Sequence, residues 1–100
     1  MMPRLDLEKF SWVKRGKQRR DIIVYIDGPE TPTDIAKKSG YSLNNTSRVL
    51  GEFRRKGIAR CLNPKEKTGR LYRVTPSGRV IRDKLRKINK KGKNKSWEQY

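Results

Sequence analysis

Histidine is absent from this chain of 100 residues, and cysteine occurs only once, at Cys61. The chain therefore lacks the commonest general base and the commonest metal ligand, and it cannot form an intramolecular disulfide. The sequence also contains neither a glycine-rich loop of the kind that cradles phosphates nor a paired-carboxylate motif. These absences argue against an enzyme and predict no metal and no other cofactor. The single cysteine fits a reducing cytoplasm.

Acidic residues and long apolar runs are also scarce. Aspartate and glutamate total 10, against 27 lysines and arginines, which gives a formal net charge of +17. Such an excess repels itself in a compact protein and predicts a polyanionic partner, with nucleic acid favoured over an anionic membrane surface. No apolar run approaches the ~20 residues that span a bilayer. We expect no signal peptide either, because Met1–Lys9 carries charges where an apolar segment would stand.

In the first quarter of the chain, one segment shows a regular spacing of apolar residues. In Ser11–Ile26, apolar residues recur with the spacing of an α-helix, which predicts a first helix there. Gly16 disfavours a helix by about 1 kcal/mol relative to alanine, so the helix starts either at Ser11 or nearer Lys17. Residues 1–10 fit an extended piece and a helical turn equally well, and we treat them as an N-terminal arm.

The most informative stretch is Ser42–Lys56, which follows a predicted helix at Thr31–Ser39 and a turn at Gly40–Tyr41. Four residues at helical spacing form its apolar face, namely Leu43, Thr46, Leu50 and Phe53. The opposite face is rich in amides and arginines. Two helices joined by a tight glycine turn indicate a helix-turn-helix. Because Asn can pair with adenine edges and Arg with guanine edges, the second helix is predicted to be a recognition helix.

A β-hairpin is predicted directly after the recognition helix. The runs Ile58–Leu62 and Arg70–Val74 have strand composition, and Asn63–Gly69 joins them with Pro and Gly as turn signals. A basic hairpin in this position is the wing of a winged helix, whose tip lies along the DNA backbone or in the minor groove. Thr75–Pro76 then opens a last helix. Apolar residues become rare after it, so we predict a mobile basic tail at residues 90–100.

Three segments resemble small archaeal winged helix-turn-helix regulators of the broad ArsR and MarR kind. They are TP-x-x-IA from Thr31, S-x-x-x-x-SR-x-L from Ser42, and CLNP…GRLY-x-V-T-x-x-G from Cys61. The predicted elements give a mainly α fold with a small β-hairpin, in the order α-α-α-β-β-α, as a winged helix DNA-binding domain over residues 11–89. The resemblance covers Ser11 to about Leu85. It also implies a cytoplasmic transcriptional regulator that binds DNA, often as a homodimer. No small-molecule pocket can be inferred for so small a domain.

The helical spacing and the resemblance together give candidate DNA contacts. Base contacts are expected from the first turns of the recognition helix, through Asn44, Asn45, Ser47 and Arg48. Phosphate contacts are expected from both helices of the motif, through Thr33, Lys37, Lys38, Tyr41, Arg54 and Arg55. The wing is expected to contribute three basic side chains, Lys65, Lys67 and Arg70.

The sequence therefore supports two hypotheses for the function. The leading hypothesis is a sequence-specific regulator that binds double-stranded DNA and is expected to be a homodimer. The alternative is a winged-helix module that binds RNA or a nucleoprotein complex without sequence-specific DNA readout, with the basic tail supplying affinity. A titration that compares duplex DNA with RNA over a range of salt concentrations separates the two.

Overall fold

The computed structural model describes the backbone of residues 4–92 and the side chains of residues 4–88. In chain order the elements are α1 (Leu7–Arg15), α2 (Lys17–Ile23), α3 (Pro32–Ser39), α4 (Leu43–Arg55), β1 (Ala59–Cys61), β2 (Tyr72–Val74) and α5 (Pro76–Gly92). This order confirms the predicted winged helix-turn-helix, with one more helix than expected near the N-terminus. Within residues 4–92, no helix combines the length and the hydrophobicity that a bilayer crossing requires.

Of the two predicted starts of the first helix, the one near Lys17 is correct, because α2 begins at Lys17. A continuous helix from Ser11 to Ile26 is wrong, since Ser11–Arg15 belongs to the separate helix α1 and α2 ends at Ile23. Helix α1 begins at Leu7, where the Asp6 carboxylate accepts a hydrogen bond from the amide of Lys9 at 3.1 Å. Gly16 then adopts an extended conformation, with φ −98° and ψ 118°, and separates α1 from α2. Of the two alternatives for the N-terminal segment, the helical one is correct from Leu7 onward, and Phe10 is buried in the core.

Two arginines of α2 stabilise the break at Gly16. Arg19 Nε donates to the carbonyl of Trp12 at 2.8 Å, and Arg20 donates to the carbonyl of Lys14 at 3.2 Å. Both carbonyls belong to the last turn of α1, where a helix leaves its carbonyls without intrahelical partners. The Arg19 guanidinium also lies 4.3 Å from the centroid of the Trp12 ring, within cation–π range. The chain can therefore turn at Gly16 without leaving these polar groups unpaired.

The hydrophobic core receives side chains from both strands and from all five helices. Its buried apolar members are Phe10, Val13, Ile22, Ile23, Ile26, Ile35, Val49, Leu50, Phe53, Ile58, Ala59, Tyr72, Ile81 and Leu85. On α4 the predicted apolar face is correct for three residues and wrong for Leu43, which is 49% exposed. Val49 is buried in addition. Leu43 lies in the first turn of α4 and lines an open groove together with the start of α3.

The two strands form the predicted hairpin. They pair antiparallel, with Ala59 opposite Val74 and Cys61 opposite Tyr72. Glu30 extends the sheet as an isolated bridge, because its amide and carbonyl exchange hydrogen bonds of 3.0 and 2.8 Å with the backbone of Tyr72. The hairpin is therefore tied to the segment that precedes α3.

Helix α5 packs closely on the start of the hairpin. Thr75 caps the helix, since its hydroxyl accepts from the amide of Gly78 at 3.1 Å and donates to the carbonyl of Gly57 at 2.7 Å. A Cβ atom on Gly78 would lie only 2.0 Å from the carbonyl oxygen of Ile58, so glycine is required here for close approach. The helix continues to Gly92, past the predicted start of the tail, and residues 93–100 lie outside the described residues.

Two arginines of α5 donate to backbone carbonyls of the segment that follows α2. The buried Arg82 donates to the carbonyl of Ile26 at 2.8 Å, and Arg86 donates twice to the carbonyl of Val24, at 3.0 and 2.7 Å. Arg86 also forms an ion pair with Asp27. These contacts connect α5 to the segment after α2, 56 to 62 residues earlier in the chain, and give its backbone carbonyls hydrogen-bond partners.

The Asp27 carboxylate also lies 3.2 Å from Lys38 Nζ. The hydrogen bond from Arg86 is the main cause that holds the pKa of Asp27 below its ordinary value, and it outweighs the opposing effect of burial. A lowered pKa stabilises the fold above the unfolded-state pKa of about 3.9, and this contribution is lost as the pH falls through the still lower folded-state pKa.

Replacing Asp27 by Asn should therefore remove the part of the free energy of unfolding that depends on the ionised carboxylate and is lost in acid. We expect Asp27→Asn to lower the free energy of unfolding by roughly 0.2–1 kcal/mol at pH 7, because the carboxylate is largely exposed. The difference between the variant and the wild type should shrink as the pH falls below about 4. Thermal melts between pH 2 and pH 7 measure it. A difference that stays constant across this range would contradict the assigned ion pairs.

Candidate nucleic-acid interface

Two hydroxyl caps and one left-handed glycine set the ends of the helices in the helix-turn-helix. The Thr31 hydroxyl accepts from the amide of Asp34 at 3.2 Å and caps α3. Gly40 ends α3 with φ 83°, a left-handed conformation that favours glycine. The Ser42 hydroxyl accepts from the amide of Asn45 at 3.1 Å and caps α4. The turn therefore sets the direction in which α4 leaves the core.

The buried stripe of α4 determines which of its residues face solvent. Its members are Thr46, Val49, Leu50 and Phe53. At 100° per residue, the opposite face is centred on Asn44, Arg48, Gly51 and Arg55. Asn44, Ser47, Arg48 and Arg55 are exposed, whereas Asn45 is half-buried at the edge of this face. Three of the four predicted base-contacting residues are thus directed outward.

An open groove, here called the recognition groove, separates α4 from the tip of the wing. It is lined by the start of α3, one side of α4 and the hairpin, specifically by residues 31–33, Leu43, Ser47, Gly51, Arg54, Arg55, residues 67–70 and Tyr72. The wing tip and part of the outward face of α4, Gly51 and Arg55, therefore border the same concave surface, whereas Asn44 and Arg48 are not among the residues that line it. Docking on a duplex requires this arrangement.

Arg48 is held by two neighbours. Its Nη2 donates to Gln18 Oε1 of α2 at 2.5 Å, and its Nη1 lies 3.4 Å from Glu52 Oε2, one helical turn further along α4. These contacts use two of the five N–H groups of the guanidinium and leave three for a ligand. The side chain is therefore oriented before any partner binds.

Three of the residues that were predicted to contact phosphates already have polar partners within the protein. Lys38 Nζ lies 2.6 Å from Glu30 and 3.2 Å from Asp27. Burial lowers the pKa of Lys38, but the hydrogen bonds with these carboxylates outweigh it and leave the pKa raised. The Tyr41 hydroxyl donates to Asp21 at 2.7 Å, which raises the pKa of the phenol. Arg70 folds back on the wing and donates to the carbonyls of residues 66 and 64.

The other predicted phosphate-contacting residues are exposed. They are Thr33, Lys37, Arg54, Arg55, Lys65 and Lys67. None of these side chains forms a hydrogen bond or an ion pair with another of the described residues. Arg54, Arg55 and Lys67 line the recognition groove itself, and Thr33 lies at its α3 side. The groove thus carries cationic side chains without internal acceptors.

The sequence reasoning missed two residues that contact Arg48. Glu52 stands four positions after Arg48, and this spacing on a helix is a recognised signal for an ion pair. Gln18 lies 30 positions before Arg48, and only the packing of α2 against α4 brings the two together. No local pattern in the sequence could have identified Gln18.

Comparison with solved structures identifies similar folds. A MarR-family transcription regulator has a TM-score of 0.68 and 19% identity, over 94% of this chain and 69% of that one. A mutant of MepR from S. aureus has a TM-score of 0.64 and 18% identity, over 93% and 72%. A homodimeric winged helix-turn-helix DNA-binding domain from Mycobacterium bovis, described as a possible ArsR-family transcriptional regulator, has a TM-score of 0.58 and 15% identity, over 90% and 81%.

These identities are low, so the similarity establishes the shared winged helix-turn-helix fold. No family model matches the sequence. No curated protein matches it.

Proposed function

We propose that this chain is a transcriptional regulator that binds double-stranded DNA, with α4 in the major groove and the wing on the adjacent backbone or in the minor groove. The observation that carries the proposal is the recognition groove, where Gly51, Arg54 and Arg55 of α4 and a basic wing tip border one concave surface. Asn44 and Arg48 are exposed on the same helix, outside the lining of the groove. The solved structures with this fold are described as transcription regulators, which supports the same function.

Base reading is assigned to the outward residues of α4. Asn44 and Arg48 are the direct readers, since an amide matches adenine and a guanidinium matches guanine. Ser47 supplies a hydroxyl beside them, and Asn45 reaches the bases only from the edge of the face. Leu43 is exposed in the groove and offers an apolar contact for the methyl group of thymine.

Phosphate binding is assigned to the cations without internal acceptors, Arg54, Arg55, Lys37, Lys65 and Lys67, together with Thr33. The backbone strand between the two DNA grooves would lie in the recognition groove, between α4 and the wing. Lys38, Tyr41 and Arg70 are left out of this proposal because their polar groups already have partners within the protein.

A homodimer completes the proposal. The M. bovis domain with this fold is described as homodimeric. Two copies of this chain would place two recognition helices about 34–36 Å apart, on successive major grooves of one face of the duplex. Light scattering of the purified protein measures the oligomeric state, and a monomer that still binds one half-site would overturn this part.

Lys65→Ala tests the general DNA contact. We expect it to weaken binding to all duplexes to a similar degree and to reduce the slope of log K against log salt by about one, because one phosphate contact is lost. Fluorescence anisotropy at several salt concentrations measures both quantities. Lys87→Ala, which removes an exposed charge from α5, is the matched control and should leave the slope unchanged.

The alternative, an RNA or nucleoprotein-binding module without DNA sequence readout, is favoured by one observation. Arg48 already contacts Gln18 and Glu52, so its guanidinium is less available than a free side chain. Competition between duplex DNA and RNA of matched length decides between the two functions. Tighter binding of RNA at every salt concentration would replace the first proposal by the second.

A further inference from the structure

A second basic cleft lies between the hairpin and the N-terminal end of α5. Four arginines and two aspartates line it, namely Arg60, Arg73, Arg79, Arg82, Asp27 and Asp83. Side chains alternate between the two faces of a strand, so Arg60 and Arg73 project from the face opposite to that of Tyr72. Tyr72 lines the recognition groove. This arginine cleft is therefore separated from that groove by the hairpin.

The three exposed arginines of the cleft stand in unfavourable positions. Arg60 and Arg73 are directly opposite each other in the strand register, and like charges placed in this way destabilise a hairpin. Arg79 lies in the first turn of α5, where the helix dipole is positive and a cation is disfavoured. Residues whose placement costs stability in several independent ways, as with these three arginines, are expected at functional sites.

These three guanidiniums also lack internal acceptors. Within the described residues, none of them forms an ion pair or a side-chain hydrogen bond, whereas Arg19, Arg82 and Arg86 each donate to backbone carbonyls. The two aspartates of the cleft do not offset them. Asp83 pairs with Arg82, and Asp27 pairs with Arg86 and Lys38. The exposed positive charge of the cleft is therefore uncompensated.

We propose that Arg60, Arg73 and Arg79 form a phosphate-binding site. The planar guanidinium matches phosphate oxygens through paired N–H groups, and three of them around one concave surface can surround an anion of more than one charge. Such a ligand would remove the repulsion between the opposed strand arginines and would complement the positive end of α5. The phosphate belongs either to a small phosphate compound or to a second segment of nucleic-acid backbone.

The test is a titration of the ¹⁵N-labelled full chain with inorganic pyrophosphate, followed by amide chemical shifts. We expect saturable shifts at residues 60, 73 and 77–79, and we expect R60Q/R73Q to weaken the binding by about tenfold or more. Without ligand, the same variant should melt a few degrees higher than the wild type, because the cross-strand repulsion is gone. R79Q should weaken binding as well, without changing the strands.

A matched control separates the site from general basicity. R15Q/K87Q removes the same charge from exposed positions outside the cleft and should keep the wild-type affinity. Equal weakening in this control, or shifts that spread over the basic surface without saturating, would overturn the proposal. So would unchanged binding in R60Q/R73Q.

A second arm identifies the source of the phosphate. It uses R54A/R55A, which weakens the recognition groove, and titrates this variant with a short duplex. Cleft signals that still shift assign the phosphate to nucleic-acid backbone, and a response to pyrophosphate alone assigns it to a small phosphate compound. The absence of both responses refutes the site, and the proposed function in the recognition groove would be unaffected.

Discussion

Arg48→Ala should abolish much of the discrimination between target and random DNA while leaving general affinity largely intact. A bidentate contact between arginine and a guanine edge contributes about 1–3 kcal/mol of discrimination, which corresponds to roughly fivefold to 150-fold for each half-site. In a homodimer on a symmetric site the effect would apply twice. This size follows from the outward position of Arg48 and from its prior orientation by Gln18 and Glu52.

The measurement begins with the selection of bound sequences from a random duplex library by the wild-type protein. Anisotropy titrations of the selected duplex and of a scrambled duplex then give the ratio of affinities for each variant at one salt concentration. Arg15→Ala removes the same charge from an exposed position on α1 and serves as the control, for which the ratio should not change.

The result that contradicts this prediction is equally specific. If Arg48→Ala weakened binding to both duplexes by the same factor, Arg48 would be a phosphate contact rather than a base contact. Glu52→Gln adds a further check, because it keeps the shape of the side chain and removes the charge that holds Arg48. A changed ratio in Glu52→Gln would show that Glu52 positions the guanidinium for base reading.

Sequence reasoning succeeds in this chain wherever the signal is local. The helix starts after Thr31, Ser42 and Thr75 are each capped by a hydroxyl that accepts from the amide three residues later, so the start of each helix is encoded within a few residues. The recognition helix and the hairpin are likewise defined by short patterns of apolar residues and by Pro and Gly. Because these signals fix the order of elements, the winged helix-turn-helix could be predicted from the sequence.

The failures involve side-chain contacts and exposures that short patterns of residue types do not specify. The period of apolar residues continues across Gly16, and the break there depends on arginines that stabilise the end of α1 from outside it. Leu43 fits the apolar face of α4 in sequence but stands beyond the core in space. The sequence also does not show that Lys38 pairs with Glu30, that Arg70 folds back on wing carbonyls, or that Gln18 contacts Arg48. The availability of each cation could therefore be assessed only in the folded structure.

Gly78→Ala is expected to have the largest effect on stability. The added Cβ would lie 2.0 Å from the carbonyl oxygen of Ile58. The amide and the hydroxyl of Thr75 both donate to this carbonyl, so moving the start of α5 away from it would break these hydrogen bonds. We expect a loss of about 3 kcal/mol or more, at the upper end of the range for overpacked sites. For a small domain this is a large part of the total stability. Urea unfolding monitored by circular dichroism measures the change.

Gly51→Ala is the matched control, because it makes the same chemical change in an open place. The nearest side-chain atom to a Cβ on Gly51 is Arg55 Nη1, at 3.7 Å, which is an ordinary contact. Alanine within α4 should therefore raise stability by up to about 1 kcal/mol. Similar unfolding midpoints for both alanine variants would show that α5 does not approach β1 as closely as described.

The consequence of Gly78→Ala should reach the recognition groove as well. Thr75 donates to the carbonyl of Gly57, so α5 docks at the corner where α4 ends and β1 begins. A shift of α5 away from Ile58 must therefore change the angle between α4 and the wing, which border the groove. At temperatures where the variant remains folded, we expect weaker duplex binding than in the wild type. Unaltered binding by folded protein would mean that the wing keeps its place without this contact.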